Sequence, residues 1–198
     1  MKEPIDKYLS SVKVLCPQVT EEELKYIESG LTISILNVKD IYIDVNIVQN
    51  QIGFVYSGLI RGFYINNNGN QISIKFIKEN EIAAHFSSLF TQKPSKYYFQ
   101  CLEPTIIVNI PYNHILSGYD RFPNLERYGR LLVEELLEQF QKRIESFLFE
   151  TAEVRYINYL KEYPDLIERI SISNLCTYLG IERQSLTRIR KKLTKNKM

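Results

Sequence analysis

The residues of this chain best suited to a chemical task stand close to its end. Ile172 to Lys192 reads ISNLCTYLGIERQSLTRIRKK. Within it Arg183, Gln184, Ser185, Thr187, Arg188, Arg190 and Lys191 are polar or cationic and alternate with Leu186 and Ile189 at helical spacing. Arginine and glutamine offer paired groups that match guanine and adenine edges in the major groove. Serine, threonine and lysine suit phosphate oxygens, contacts that position a protein without specifying sequence. The chemistry expected is recognition of double-stranded DNA by these seven side chains.

Two helices and a turn must hold this set. Ile172, Leu175, Leu179, Ile181, Leu186 and Ile189 form an apolar face, Cys176 supplies a small residue, and Gly180 falls where the chain must turn. Glycine takes positive φ at no steric cost, so the spacing predicts a helix-turn-helix. The plainer alternative is a helical hairpin with a basic surface.

Charge supports the first reading by its distribution. The 198-residue chain carries a net charge of only +2. From Arg183 onward, however, Arg183, Arg188, Arg190, Lys191, Lys192, Lys195 and Lys197 face no acidic residue, while Glu21, Glu22 and Glu23 cluster near the start. Such asymmetry marks a local polyanion-binding surface. Hydrophobic residues make up 44% and aromatics 12%, enough to build a core and exclude disorder. Cys16, Cys101 and Cys176 are scattered, which argues against a disulfide framework or an iron–sulfur cluster. His85 and His114 are the only histidines and form no metal-ligand pattern. No Ser-His-Asp or Cys-His grouping and no Gly-rich phosphate loop is present, so no enzyme and no metal site is expected. The absence of a leader or a long apolar run leads to the expectation of a cytoplasmic protein without membrane contact.

The remaining chain divides by periodicity. Pro4 to Ile33 reads as helical, with Thr20 and Glu23 as a capping box. From Ile33 to about Pro111 short apolar alternations take over, among them Ile41-Ile43-Val45, Leu59 to Ile65 and Ile72-Ile74-Phe76, with a hairpin turn at Asn66-Asn67-Asn68-Gly69-Asn70. Pro123 to Phe149 predicts one long helix. Val133, Leu137, Phe140, Ile144 and Phe147 recur on it at coiled-coil spacing. Either these five form a dimer seam or the helix packs on its own β domain. Pro164 ends the helical pattern that begins near Thr151. The expected organisation is α+β: an effector domain over 1–122, a dimerisation helix over 123–150 and a DNA-reading domain over 151–198.

This arrangement resembles the CRP/FNR superfamily of bacterial transcription regulators over nearly the whole chain. The resemblance rests on Tyr56-Ser57-Gly58-Leu59-Ile60-Arg61, the Asn67-Asn68-Gly69 hairpin, the long helix, and Leu179-Gly180-Ile181 through Ser185 to Lys192. The last stretch is especially similar to members from Bacteroidetes. It implies a cyclic-nucleotide-binding-like jelly-roll β-barrel, a dimerisation helix and a winged helix-turn-helix. Matching on Leu186 and Ile189 places the family's Arg-Glu pair and later Arg at Arg183, Gln184 and Arg188, with Gln in place of Glu. Glutamine would turn the preference from cytosine toward adenine.

In cyclic-AMP-binding members a Gly-Glu pair holds the ribose and an Arg-Ser or Arg-Ala pair the phosphate. Here those places hold Asn80-Glu81 and Ser95-Lys96, and the arginine is missing. Lysine lacks the bidentate fork, so cyclic AMP is disfavoured and no cofactor is readable. Glu81, Ser95, Lys96, Phe140 and Gln141 are the candidate effector-pocket residues; for Glu81 the competing reading is a surface carboxylate. The function implied is a sequence-specific regulator binding a palindromic site as a homodimer. Its partners would be DNA, RNA polymerase and an unidentified small-molecule effector. The alternatives are an effector-independent regulator and a small-ligand-binding protein with weak DNA binding.

Overall fold

In a computed structural model describing residues 2–195, the N-terminal helical stretch is two helices, α1 (Lys2–Leu15) and α2 (Glu21–Ser29). Pro17 divides them. It has no N–H to donate, and it bars the preceding residue from helical geometry. One helical run over Pro4 to Ile33 is therefore corrected to two helices and the start of a strand. The capping box forms: the Thr20 N–H donates to Glu23 Oε2 at 2.6 Å, and the Glu23 N–H donates to Thr20 Oγ1 at 3.2 Å.

Eight strands follow: β1 (Thr32–Leu36), β2 (Ile41–Ile43), β3 (Gln51–Ser57), β4 (Ile60–Ile65), β5 (Gln71–Ile77), β6 (Ile82–Ala83), β7 (Tyr98–Cys101) and β8 (Thr105–Pro111), with α3 (Phe86–Thr91) after β6. They form two four-stranded sheets, ordered β1-β8-β3-β6 and β2-β7-β4-β5. This is a jelly-roll-like arrangement that is not closed into a barrel. Strand β8 is central to the first sheet, where Asn109 stands opposite both Thr32 of β1 and Gly53 of β3. Helix α4 (Tyr112–Arg121) leads into α5 (Pro123–Phe149), followed by α6 (Ala152–Glu162), α7 (Ile172–Leu179) and α8 (Arg183–Lys195).

The chain separates into two compact units. One holds the residues up to Gly62 together with Phe76–Leu136; the other holds Phe63–Lys75 and everything from Leu137 on. Strands β4 and β5 and helix α5 are thus shared.

The first unit has two cores. Ile43, Val55, Ile60, Ile77, Phe99 and Ile107 pack together, and Tyr8, Val12, Phe54, Val108, Ile110 and Leu125 form the other, where α1 and α5 meet the first sheet. Buried Asn109 would be costly without partners. It receives hydrogen bonds from Tyr42 Oη (3.0 Å) and Gln51 Nε2 (3.3 Å) and donates to Ser34 Oγ at 2.8 Å.

Buried apolar residues of the second unit include Phe63, Tyr156, Tyr159, Leu166, Ile170, Leu175, Cys176, Leu179, Leu186 and Ile189. Among the described residues its strands are the outer parts of β4 and β5, and no strand lies between or beside α6, α7 and α8 in sequence.

Candidate nucleic-acid interface

The second unit builds a helix-turn-helix around Gly180. Ser171 caps α7 by accepting the Asn174 N–H at 3.2 Å. At the other end Gly180 sits at φ 65°, and its N–H returns to the Cys176 carbonyl. The backbone geometry favours glycine, and a Cβ there would lie 2.7 Å from Cε1 of Phe147, so any larger residue must displace that ring. Three residues, Gly180 to Glu182, separate α7 from α8.

Helix α8 divides into a buried and an open side. Leu186 and Ile189 are buried. Arg183, Gln184, Thr187, Arg188 and Lys191 are exposed. With about 100° between successive helix residues, these five span an arc of about 140° on one face. Ser185 lies at its margin, half-buried. Arg190 lies at the other margin, also half-buried. Its Nε donates to Tyr156 Oη at 2.9 Å, and its guanidinium lies 5.7 Å from that ring. Lys192 pairs with Glu153 at 2.8 Å. Lys197 lies outside the described residues.

Two arginines outside the motif support it, and the sequence pattern alone does not single out either. Arg143 of α5 donates to the Tyr178 carbonyl and stacks over the rings of Tyr178 (3.7 Å) and Phe147 (4.4 Å). Arg155 of α6 donates to the carbonyls of Leu179 (3.0 Å) and Glu150 (2.6 Å). Together they satisfy carbonyls that the C-terminus of α7 leaves without helix partners, where cations are also favoured by the helix dipole. Periodicity puts Arg143 on an outward face of α5; the signal for its role is Phe147 one turn later, a ring at cation–π spacing. Burial pushes the Cys176 thiol above its ordinary value, with Arg190 and Arg183 pulling against it, which suits a small core residue rather than a nucleophile.

All five residues of the expected dimer seam are exposed: Val133 42%, Leu137 64%, Phe140 50%, Ile144 60% and Phe147 44%. The Phe147 ring nevertheless packs between Arg143 and Arg155.

Of the candidate effector residues, Glu81, Ser95 and Lys96 lie in the first unit, Phe140 and Gln141 in the second. Ser95 is buried. Its Oγ contacts His85 Nδ1 at 3.0 Å, donates to the Tyr97 carbonyl at 2.8 Å and accepts the Tyr97 N–H at 3.1 Å. Burial, then the charge of Lys96, lowers the His85 pKa. Lys96 itself is exposed. Glu81 is half-buried and accepts the Lys78 N–H at 3.2 Å. Gln141 reaches Glu145 on its own helix at 2.9 Å. Among the described residues no three His, Cys, Asp or Glu side chains converge as a metal site would need, and no helix is long and apolar enough to cross a membrane.

No family model matches this chain, and no curated protein does. Solved structures do. FixK2 from Bradyrhizobium japonicum superposes with a TM-score of 0.73 at 12% identity, over 84% of this chain and 85% of that one. The c-di-GMP-responsive global regulator CLP of Xanthomonas campestris gives 0.70 at 12% identity, over 89% and 93%. A transcriptional regulator of the CRP/FNR family from Eubacterium rectale gives 0.70 at 16% identity, over 92% and 87%. The chain shares the fold of these structures, of which CLP is a global regulator and the Eubacterium rectale protein a CRP/FNR-family transcriptional regulator.

Proposed function

We propose that this chain is a sequence-specific DNA-binding transcription regulator of the CRP/FNR type, that it binds a palindromic site as a homodimer, and that cyclic AMP does not control it. The observation that carries the proposal is the open face of α8. Arg183, Gln184, Thr187, Arg188 and Lys191 project together from a helix whose other side is locked into a core. Arg183 and Arg188 would grip guanine edges, Gln184 an adenine, and Thr187 and Lys191 the backbone. Two such helices, joined through the exposed α5 stripe, would enter major grooves about 34 Å apart. The similarity of Tyr178 to Lys192 to Bacteroidetes members adds a proposed kinship within the superfamily.

The argument against cyclic AMP is chemical. The phosphate place offers Ser95, already bonded to His85 and Tyr97, and no arginine beside it. A cyclic phosphate there would lack a bidentate partner.

Selection of binding sites from a random DNA pool, with and without cyclic AMP, tests the reading. A palindromic consensus indifferent to the nucleotide is expected. Arg188→Ala should weaken that site by about 1–3 kcal/mol while relaxing one base position. No sequence preference, or equal binding by the variant, would overturn it.

A further inference from the structure

Two cavities in the first unit share a wall. The larger, about 420 Å³, opens between α1 and the first half of α5; Phe54, Ile82, Tyr128 and Leu132 supply its apolar lining. The smaller, about 50 Å³, is lined by rings and aliphatic side chains, including Tyr8, Tyr26 and Tyr119, and again by Tyr128 and Leu132. The larger is in the size range of small-molecule sites. Neither is lined by Glu81, Ser95 or Lys96.

The polar groups of the larger cavity are complementary in a specific way. Lys7 of α1 is its cation and Glu135 of α5 its anion, and neither makes an ion pair or hydrogen bond among the described residues. Ser10 and Ser11 also line it. Their hydroxyl protons are committed to the Asp6 and Tyr8 carbonyls, at 2.8 and 2.7 Å, which leaves oxygen lone pairs as acceptors. The lining therefore offers one place for an anion, several acceptors for a charged donor, and an apolar floor.

We propose that this cavity binds a small zwitterion with an apolar side chain, of the apolar α-amino-acid class. The carboxylate pairs with Lys7, the ammonium with Glu135 and the serine oxygens, and the side chain lies over Phe54, Ile82 and Leu132. The site lies wholly within the first unit, so binding there is independent of the DNA-reading proposal.

The test is titration of the full chain with L-phenylalanine, phenylpropionate and phenethylamine, read by backbone amide NMR shifts and calorimetry. Saturable shifts at Ser10, Ser11 and Asn80 are expected with L-phenylalanine, and binding weaker by up to about fivefold with either singly charged analogue, an exposed pair supplying up to about 1 kcal/mol. Lys7→Met should weaken L-phenylalanine but leave phenethylamine unchanged; Glu135→Gln should likewise weaken L-phenylalanine but leave phenylpropionate unchanged. Ser10→Trp, on the exposed rim, should block all three without touching the core. Binding that ignores which charge the probe carries would overturn the proposal, as would shifts confined to other surfaces or no saturable binding.

Discussion

Replacing Gly180 with alanine tests the turn that sets α8 against α7. The position has φ 65°, where an L side chain costs about 1–2 kcal/mol. The new Cβ would also stand 2.7 Å from Phe147 Cε1. That ring is 44% exposed and can swing away, but only by leaving the guanidiniums of Arg143 and Arg155, at 4.4 and 4.9 Å. Breaking both of these exposed cation–π interactions adds about 1–2 kcal/mol. Gly180→Ala should thus destabilise the second unit by about 2–4 kcal/mol. Gly69→Ala is the internal control: φ is 77°, and nothing lies within 4 Å of its Cβ, so only the backbone cost of about 1–2 kcal/mol should appear. Urea unfolding followed by tyrosine fluorescence measures both. If Gly180→Ala costs no more than Gly69→Ala, the Phe147 clamp is not holding the turn and the reasoning fails.

Three further outcomes are expected. Burial opposes the charge of Glu23, but hydrogen bonds from the Thr20 backbone and from Asn124 outweigh it and lower its pKa; its contribution to stability is therefore complete above the ordinary value of 4.5 and fades as pH falls through the lowered one. Acid titration of Glu23→Gln beside the parent chain should show this decline in the parent alone. Leu137→Asp with Ile144→Asp should lower dimer affinity by at least about a hundredfold in analytical ultracentrifugation, given about 1.5–3 kcal/mol per buried large apolar side chain; sedimentation identical to the parent would remove α5 from the interface. The salt dependence of DNA binding should have a slope between about −2 per dimer, if only Lys191 of each protomer neutralises a phosphate, and about −5, if Arg183 and Arg188 do so beside their base contacts; a slope near −13 would mean that all seven C-terminal cations engage phosphates.

How much was legible in the sequence depended on whether the partner was local. The ends of α5 follow from Pro123 and from periodicity, and the Thr20–Glu23 box and the Gly180 turn are set by residues within a few positions of one another. The pairing of β1 with β8 and of β3 with β8 joins distant segments of similar apolar alternation, so local pattern does not select it. Pro17 is a visible break, yet periodicity masks it, because Tyr8, Val12, Leu24 and Ile27 keep helical spacing on both sides of it. The site shows the same divide. Arg183 and Arg188 are readable from their own helix, whereas the engagement of Arg190 by Tyr156 depends on a residue from α6.

That divide matters for what a basic stretch means. Arg143, Arg155 and Arg190 have their guanidiniums on protein carbonyls or rings, and Lys192 is paired with Glu153. Arg183, Arg188 and Lys191 are left facing solvent on one arc of α8. The first group ties α7 to α5 and α6, and α8 to α6; in the proposed DNA complex the second would need that placement, because bidentate contact with a base edge tolerates little misplacement. Cations engaged by internal carbonyls, a tyrosine hydroxyl and a carboxylate help seat the helices from which the remaining cations project. Charge density along the sequence therefore overstates the polyanion-binding capacity of this segment, and the arrangement of the charges carries the proposed specificity.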